Sequence, residues 1–189
     1  MTDAGTWRGD MPPYCCCVGE LDGWRHCPVC TTSVTPENGM VECPECGFTT
    51  YAHSKATASG VVVDDKGRVL LAMRAKDPFA GKWDLPGGFL EEGEDPRDGV
   101  NRELREEAGI EIGDERLLGI WMDRYEYRGR VVATLNVYYV ARLEQGTPEA
   151  ADDVAEFRWF AADEVPLDEL AFGHIPEVLS AWRSAGSGS

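Results

Sequence analysis

One helix is marked at both of its ends in this sequence, between Asp95 and Gly109. Asp95 is a good N-cap, a proline occupies the first helical position, and Gly109 suits the left-handed backbone at which helices stop. The helix is therefore predicted to run from about Pro96 to Ala108. Its apolar residues share one arc and can pack against a sheet. These residues are Val100, Leu104 and Ala108.

Three glutamates, Glu103, Glu106 and Glu107, share the neighbouring arc of this helix. One interpretation is a solvated face, because glutamate is a good helix former and like charges at this spacing cost only roughly a few tenths of a kcal/mol per pair. Two features favour a cation site instead. The acids occupy the C-terminal half, where the helix dipole favours positive charge, and neither Arg102 nor Arg105 follows one of them by four residues. A hard divalent cation such as Mg²⁺ or Mn²⁺, which prefers carboxylate oxygen, would satisfy both features.

The sequence LPGG, residues 85–88, comes shortly before this helix. Two adjacent glycines permit an unusual backbone path and allow a ligand or a metal to approach a main-chain carbonyl closely. The loop could therefore place its backbone beside the three glutamates.

The remaining patterns predict strands mixed with two or three helices, in a layered α/β or α+β domain. Strand-like segments rich in Val and Leu flank a hairpin turn, and two long strands flank a second turn. The strands are expected within 56–65, 68–74, 116–143 and 155–160, a loop over 79–88, and a closing helix over 173–183.

The chain has 189 residues and a net charge of −16, which suggest one main domain with a small appendage. A nucleic acid polymer would be repelled, because its binding depends on neutralisation of phosphates by Lys and Arg. A small anion that carries its own metal is not excluded. No segment resembles a signal peptide or approaches the roughly 18 apolar residues of a membrane span. A cytoplasmic protein is therefore expected.

Four of the seven cysteines form two Cys-x-x-Cys pairs, Cys27 with Cys30 and Cys43 with Cys46. In an intracellular chain such pairs indicate a metal rather than disulfides. Four thiolates give the closed tetrahedral shell of structural zinc and leave no open position for a substrate. We therefore predict a zinc ribbon whose metal folds a segment too small to fold alone. A nucleic-acid-binding ribbon is the alternative, which the acidic charge weakens.

The other three cysteines are adjacent, at positions 15–17. Neighbouring residues cannot easily all face one metal, so a chance cluster in a loosely ordered arm is the simplest interpretation. A spare ligand or a redox role is the alternative, and it depends on local pKa values that a sequence does not show.

Residues 88–110, GFLEEGEDPRDGVNRELREEAGI, resemble the Nudix box, G-x5-E-x7-R-E-U-x-E-E-x-G-U with U aliphatic. Every fixed position of the box is matched. These positions are Gly88, Glu94, Arg102, Glu103, Leu104, Glu106, Glu107, Gly109 and Ile110. The resemblance implies an α/β/α sandwich with a mixed sheet, and it implies hydrolysis of a nucleoside diphosphate linked to another group. ADP-ribose, a nucleotide sugar and a dinucleotide all fit that description.

The resemblance also implies roles for the matching residues. Glu103, Glu106 and Glu107 are similar to the ligands of the Mg²⁺ or Mn²⁺ cofactor, often joined by the carbonyl of Gly88. Arg102 and Glu94 resemble a supporting pair that orients the glutamates. Homodimers are common in the family, so a homodimer is a further expectation.

The general base of such enzymes is a box glutamate or a carboxylate from a later loop. Among Asp152, Asp153 and Glu156 we take Glu156 as the first choice, with an exposed loop acid as the simpler interpretation. Tyr125 and Tyr127 lie where some family members stack a base, although packing within an alternating strand explains them equally well.

A four-cysteine ribbon before a Nudix domain is similar to the arrangement in NADH pyrophosphatases and their relatives. The S-Q-P-W-P-F-type signature of that subfamily is absent from residues 117–129, which argues against NADH specificity. The predicted organisation is an arm over 1–23, a zinc ribbon over 24–52, a Nudix domain over 57–183 and a flexible tail over 184–189. The alternative to an enzyme is a Nudix-like protein that senses a nucleotide without hydrolysing it.

Overall fold

The computed structural model describes residues 20–151 and 153–186, which fold into two compact units. The small unit comprises the described residues up to His53 together with Glu126–Val132, and the large unit comprises Ser54–Tyr125 and the residues from Ala133 onward. The predicted arm up to residue 19, including the adjacent cysteines 15–17, lies outside the described residues. No helix in the described part of the chain is long and apolar enough to cross a membrane.

The small unit contains a two-stranded antiparallel sheet, formed by β1 (Met40–Glu42) and β2 (Thr49–Tyr51). Its core is a small apolar cluster that includes two of the paired cysteines. The buried members are Leu21, Cys27, Val34, Val41 and Cys43. Because Leu21 is only 3% exposed, this unit begins before residue 24, where the sequence placed the start of the ribbon.

The large unit contains a seven-stranded mixed sheet and two helices. Strands β5, β4, β3, β8 and β7 follow one another across the sheet, while β6 pairs with β3 and β9 pairs with β4. β3 and β8 are parallel, and the pairs β3–β4, β3–β6, β4–β5 and β4–β9 are antiparallel. The elements are β3 (Lys55–Val63), β4 (Val69–Arg74), β5 (Trp83–Asp84), β6 (Gly87–Phe89), α1 (Pro96–Ala108), β7 (Glu111–Tyr127), β8 (Arg130–Gln145), β9 (Val154–Phe160) and α2 (Ile175–Gly186).

The alternation of side chains along β3 and β4 creates two separate cores in the large unit. Ala58, Val62 and Leu70 pack with the apolar arc of α1. Val61 and Leu71 pack on the opposite side with the buried residues of α2. One helix therefore covers each face of the sheet, as expected for an α/β/α sandwich.

Two sequence predictions differ from the structure in detail. The segment 79–88, predicted as a loop, contains the short strands β5 and β6, whose pairing with β4 and β3 supplies hydrogen bonds that the sequence pattern does not show. The helix α2 continues to Gly186, so it includes the first three residues of the predicted tail 184–189. The bounds of α1 agree with the prediction.

Candidate active site

Helix α1 is held in place by caps at both ends. The Asp95 side chain accepts a hydrogen bond from the backbone N–H of Arg97, and Gly109 adopts a left-handed conformation with φ 64°. The backbone N–H groups of Glu149 and Ala151 also donate to the carbonyls of Ala108 and Glu107, at 3.1 Å and 3.2 Å. These bonds fix the end of the helix that carries the glutamates.

The backbone of β6 runs directly beside two of those glutamates. A Cβ added at Gly88 would lie 2.5 Å and 2.6 Å from the two carboxylate oxygens of Glu103, a separation that no real side chain tolerates. The N–H of Gly87 points at Oε2 of Glu107, at 3.4 Å. The predicted approach of the LPGG backbone to the acidic helix is therefore present, and a side chain at position 88 would force the Glu103 carboxylate to move.

Without a bound cation, burial makes the ionised form of these carboxylates unfavourable. Burial raises the pKa of Glu107 to about 7, with a further contribution from the negative charge of Glu103. Burial also raises the pKa of Glu103, against the opposing effect of Arg102. A bound cation would stabilise the ionised form of both carboxylates.

Arg102 is the centre of the ionic network around this helix. Its Nε and Nη2 donate to the two oxygens of Glu94, at 2.8 Å and 2.9 Å, which is a bidentate pair. These hydrogen bonds lower the pKa of Glu94 to about 2. Nη1 reaches Glu103 at 2.9 Å and Glu106 at 3.1 Å. Arg102 is therefore positioned to orient two of the three box glutamates.

Glu106 differs from the other two glutamates because its side chain is 56% exposed and extends to Arg102. In the described part of the chain, the only group of three or more Cys, His, Asp or Glu residues whose ligand atoms all lie within 4.8 Å of one another is the cysteine quartet. The structure thus places Glu103 and Glu107 beside the glycine backbone, whereas the side chain of Glu106 is exposed.

Glu156, our first choice for an additional acid, lies on the other side of the sheet from α1. Its carboxylate pairs with Arg158 at 2.5 Å, and the Arg158 guanidinium lies 5.1 Å from the centroid of the Trp83 ring in the α2 core. Its neighbour in β9, Phe157, packs instead against the α1 core. Among the described acids before β9, the charge of Asp153 makes a small contribution to the raised pKa of Glu107, after burial, Glu103 and Asp84. Asp152 lies outside the described residues.

A cavity of about 100 Å³ adjoins the glycine backbone in the large unit. Aromatic and polar side chains share its wall. The lining residues are Thr57, Ser59, Arg74, Asp84, Leu85, Gly87, Gly88, Phe89, Tyr125, Thr134, Asn136, Tyr138, Phe172 and His174. Tyr125 packs edge-on against Phe79 and Phe172, with centroids 6.1 Å and 5.3 Å away. Tyr127 belongs to the small unit, where Arg128 lies over its ring.

Three side chains of this region, Tyr138, His174 and Asp123, were not singled out from the sequence. Nε2 of His174 lies 2.8 Å from the Tyr138 hydroxyl, and Nδ1 lies 2.8 Å from Oδ2 of Asp123. All three come from different elements that meet beside the cavity. No local spacing connects them, and His174 lies within the segment 173–183 that the sequence predicted as a helix.

The four cysteines of the small unit form a second site. Two similar turns position them: the N–H of Cys27 bonds to the carbonyl of Thr32, and the N–H of Cys43 bonds to that of Phe48, both at 2.8 Å. The sulfur atoms of Cys27 and Cys46 lie 3.6 Å apart, and those of Cys30 and Cys43 lie 3.5 Å apart. Zinc–sulfur bonds of about 2.3 Å in a tetrahedron imply sulfur separations of about 3.8 Å, so the quartet fits a zinc ion.

Comparison with known proteins agrees with this geometry. The NUDIX domain profile matches residues 53–180. An ADP-ribose pyrophosphatase from Methanocaldococcus jannaschii is 33% identical over 138 residues, which cover 71% of this chain and 78% of the relative. The NAD-capped RNA hydrolase NudC from Pseudomonas aeruginosa is 25% identical over 191 aligned positions, covering 95% of this chain and 66% of that protein. The crystal structure of a NUDIX hydrolase from Nitrosomonas europaea matches with a TM-score of 0.70 at 26% identity, over 87% of this chain and 94% of that chain.

The chain therefore belongs to the NUDIX family. It is a Nudix pyrophosphohydrolase, and the predicted family and fold are confirmed. The similarity to NudC spans nearly the whole chain, so the predicted arrangement of a four-cysteine segment before the NUDIX domain is confirmed as well.

The buried contact between Tyr138 and His174 leads to a stability prediction. Tyr138→Phe removes the hydroxyl and leaves Nε2 of a His174 that is only 8% exposed without its partner, so we expect a loss of about 1–3 kcal/mol in the free energy of unfolding. Tyr139→Phe is the matched control, because Tyr139 is equally buried and no hydrogen bond of its hydroxyl is found within the described residues. Urea denaturation of both variants measures the difference. Equal losses would contradict the prediction.

Proposed function

We propose that this enzyme uses Mg²⁺ or Mn²⁺ to hydrolyse the pyrophosphate bond of a nucleoside diphosphate linked to another group. The observation that carries the proposal is the approach of the Gly87–Gly88 backbone to the carboxylates of Glu103 and Glu107. This approach brings the main chain of β6 beside the carboxylates of Glu103 and Glu107, which project from one arc of helix α1. Oxygen ligands of this kind are those that hard divalent cations prefer.

Glu103, Glu106, Glu107 and the carbonyl of Gly88 would hold the cation. When bound, such a cation offsets the charge of the pyrophosphate oxygens and lowers the pKa of a coordinated water. Arg102 holds Glu103 and Glu106 in place, and its bidentate pair with Glu94 fixes the guanidinium. Glu94 and Arg102 therefore act as positioning residues, in agreement with the roles that the box implies.

The general base is either a box glutamate or an acid of the loop before β9. The position of Glu156 on the α2 side of the sheet disfavours Glu156. Asp153 is the better loop candidate, because its charge contributes to the raised pKa of Glu107 and it follows a backbone segment bonded to the end of α1; its own carboxylate pairs with Lys76 in an exposed ion pair.

ADP-ribose is the substrate that we propose first. The methanogen relative is named an ADP-ribose pyrophosphatase, and the cavity beside the box offers the aromatic rings of Tyr125 and Phe172 with polar groups around them. An aromatic wall of this kind can stack on a base. Tyr127 stays a weaker candidate for such a contact.

A capped RNA is the second candidate, since the P. aeruginosa relative is named an NAD-capped RNA hydrolase. The net charge of −16 opposes a polymer of phosphates, so we propose a small nucleotide derivative rather than a nucleic acid.

The cysteine quartet is proposed to hold a structural zinc ion. Its four sulfur atoms all lie within 4.8 Å of one another, so a single ion could contact all of them. Four sulfur ligands complete the shell, so this metal would stabilise the small unit and take no part in the hydrolysis.

The proposed cation site is tested with the variants Glu107→Gln and Gly88→Ala. Both should stay folded and lose most Mg²⁺-dependent turnover, by about 100-fold or more, because one loses a charged ligand and the other forces the Glu103 carboxylate away. Gly23→Ala is the control, since its added methyl would meet only Arg130 at an ordinary 3.7 Å. Glu156→Gln should retain turnover.

The assay measures mononucleotide release from ADP-ribose, NADH, dinucleoside polyphosphates, nucleotide sugars, nucleoside triphosphates and NAD-capped RNA. The substrate class with the highest kcat/KM names the activity. Survival of turnover in Glu107→Gln would overturn the site, and a preference for the capped RNA would overturn the small-molecule proposal.

Zinc removal tests the role of the cysteines. A zinc-selective chelator, followed by restored Mg²⁺, should lower the melting temperature while turnover per folded molecule remains near its starting value. Cys46→Ser should reproduce the effect, and metal analysis of the untreated protein should give about one zinc per chain. A chelated protein that stays folded but has lost its turnover would contradict a purely structural zinc.

A further inference from the structure

The side chains of β3 and β8 give one face of the large sheet two different characters along its length. Alternation places Ser59 and Val61 of β3 on the α2 side, together with Asn136 and Tyr138 of the parallel strand β8. Val61 and Tyr138 pack in the α2 core. Upstream of them this face is polar, and its side chains line the cavity beside the glycine backbone. These residues, which we call the polar floor, are Thr57, Ser59, Thr134 and Asn136.

Hydrogen bonds fix the orientation of the Asn136 amide in the polar floor. Its Nδ2 group donates to the carbonyl of Trp121 and to Oγ1 of Thr134, both at 3.0 Å. Its Oδ1 accepts a hydrogen bond from the hydroxyl of Thr57 at 2.9 Å. The amide cannot be turned over, because a main-chain carbonyl only accepts hydrogen bonds. Asn136 therefore has no N–H left for a ligand.

This orientation decides what the two threonines of the polar floor can offer to a ligand. The Thr57 hydroxyl gives its only proton to Asn136, so towards a ligand its oxygen can only accept. The Thr134 oxygen accepts from Asn136, and among the described residues its own proton meets no acceptor. Thr57 can therefore accept a hydrogen bond from a ligand, and Thr134 can donate one.

Ser59 carries the most available hydroxyl of the polar floor. The residue is only 8% exposed, and no hydrogen bond of its side chain is found within the described part of the chain. None of the fully enclosed polar side-chain atoms of the described residues lacks a partner. The Ser59 hydroxyl is therefore not enclosed, and it opens to the cavity that the residue lines. A hydroxyl in this position is unfavourable until water or a ligand bonds to it.

The position of Ser59 connects this hydroxyl with the box. Ser59 pairs with Gly87 across β3 and β6, and a Cβ added at Gly87 would lie 2.7 Å from the serine Oγ. The N–H of the same Gly87 points at Oε2 of Glu107. Ser59 thus lies beside the strand that contacts the carboxylates, where it would face the part of a substrate that is bonded directly to the pyrophosphate.

We propose that the hydroxyls of Thr57, Ser59 and Thr134 bind the hydroxyl groups of the ribose that adjoins the pyrophosphate. The enzyme then prefers ribonucleotide derivatives to their 2′-deoxy counterparts. This inference rests on the proposed function, which places the pyrophosphate beside the box. A ribose hydroxyl both donates and accepts hydrogen bonds, and the polar floor offers both capacities on side chains without charge.

Other parts of a nucleotide match the polar floor less well. The oxygens of a phosphodiester only accept hydrogen bonds, so they would face the lone pairs of Thr57 without a proton to share. The arginine that lines the cavity, Arg74, already donates to Asp84 and to the Pro78 carbonyl. A 2′-deoxyribose would displace water and leave the Ser59 hydroxyl without a partner, which is unfavourable.

The test compares diadenosine diphosphate with its bis(2′-deoxy) analogue, because both halves of this dinucleotide present the same sugar to the cavity. Release of mononucleotide by the full-length protein with Mg²⁺ gives kcat/KM for each compound. Calorimetric titration with the methylene-bridged forms of both compounds, which cannot be hydrolysed at the bridge, gives the dissociation constants. We expect the ribose compound to be favoured by about tenfold or more in both measurements, because a site that bonds a hydroxyl rejects the analogue that lacks it.

Ser59→Ala removes the available hydroxyl and should reduce the preference to about twofold or less, mainly through weaker binding of the ribose compound. Ser180→Ala is the matched control, since it removes a serine hydroxyl from an exposed position of α2 and should leave the preference unchanged. Thermal melting shows that each variant is folded.

Equal binding of the two compounds by the wild type would overturn the proposal, and so would a full preference in Ser59→Ala or its loss in Ser180→Ala. The titration does not require turnover. A protein that binds the ribose compound preferentially but hydrolyses neither compound would contradict the proposed function while the ribose preference stands.

Discussion

The close approach of the Gly87–Gly88 backbone to helix α1 is the contact on which the site depends. It brings main-chain groups beside the partly buried carboxylates of Glu103 and Glu107, and a methyl group added at position 88 would push the Glu103 carboxylate away. The approach depends in turn on β6, whose pairing with β3 fixes the glycines in the sheet, and on the caps that hold α1 in register. The sheet and the helix thus bring the two acids and the main chain of β6 together.

The same contact explains why the three glutamates are not equivalent. Glu107 and Glu103 lie beside the glycine backbone, where burial opposes their ionisation. Glu106 is exposed and pairs with Arg102. Arg102 has a further partner in Glu94, whose carboxylate it holds on both oxygens. A cation arriving at this site would therefore meet two acids already in place and a third held nearby by the same arginine.

The sequence predicted α1, its caps, the acidic arc and the cysteine quartet because each is encoded within a short stretch of chain. The box and the Cys-x-x-Cys pairs are local patterns with fixed spacings; α1 has the predicted bounds and caps, and the four cysteine sulfur atoms lie together. The sequence did not predict β5 and β6, because they are only two and three residues long. They form strands because they pair with β4 and β3, which lie outside sequence patterns of this length. The sequence also did not show that Glu156 lies on the side of the sheet away from α1. Alternation of side chains in β9 decides which side an acid faces, and the pairing of β9 with β4 that sets this alternation is not local.

The cavity is a feature that local sequence patterns could not predict. Its polar wall joins Asp84 of β5, Asn136 and Tyr138 of β8 and His174 before α2, which lie far apart in the sequence. Asn136 is already occupied, since its amide donates to the Trp121 carbonyl and the Thr134 hydroxyl and accepts from Thr57. His174 is likewise held between Asp123 and Tyr138. A rigid, internally bonded wall selects a ligand by shape and by the few atoms that remain free. In the proposed enzyme the box would supply the shared chemistry, while the substrate would be selected by cavity residues that no motif contains.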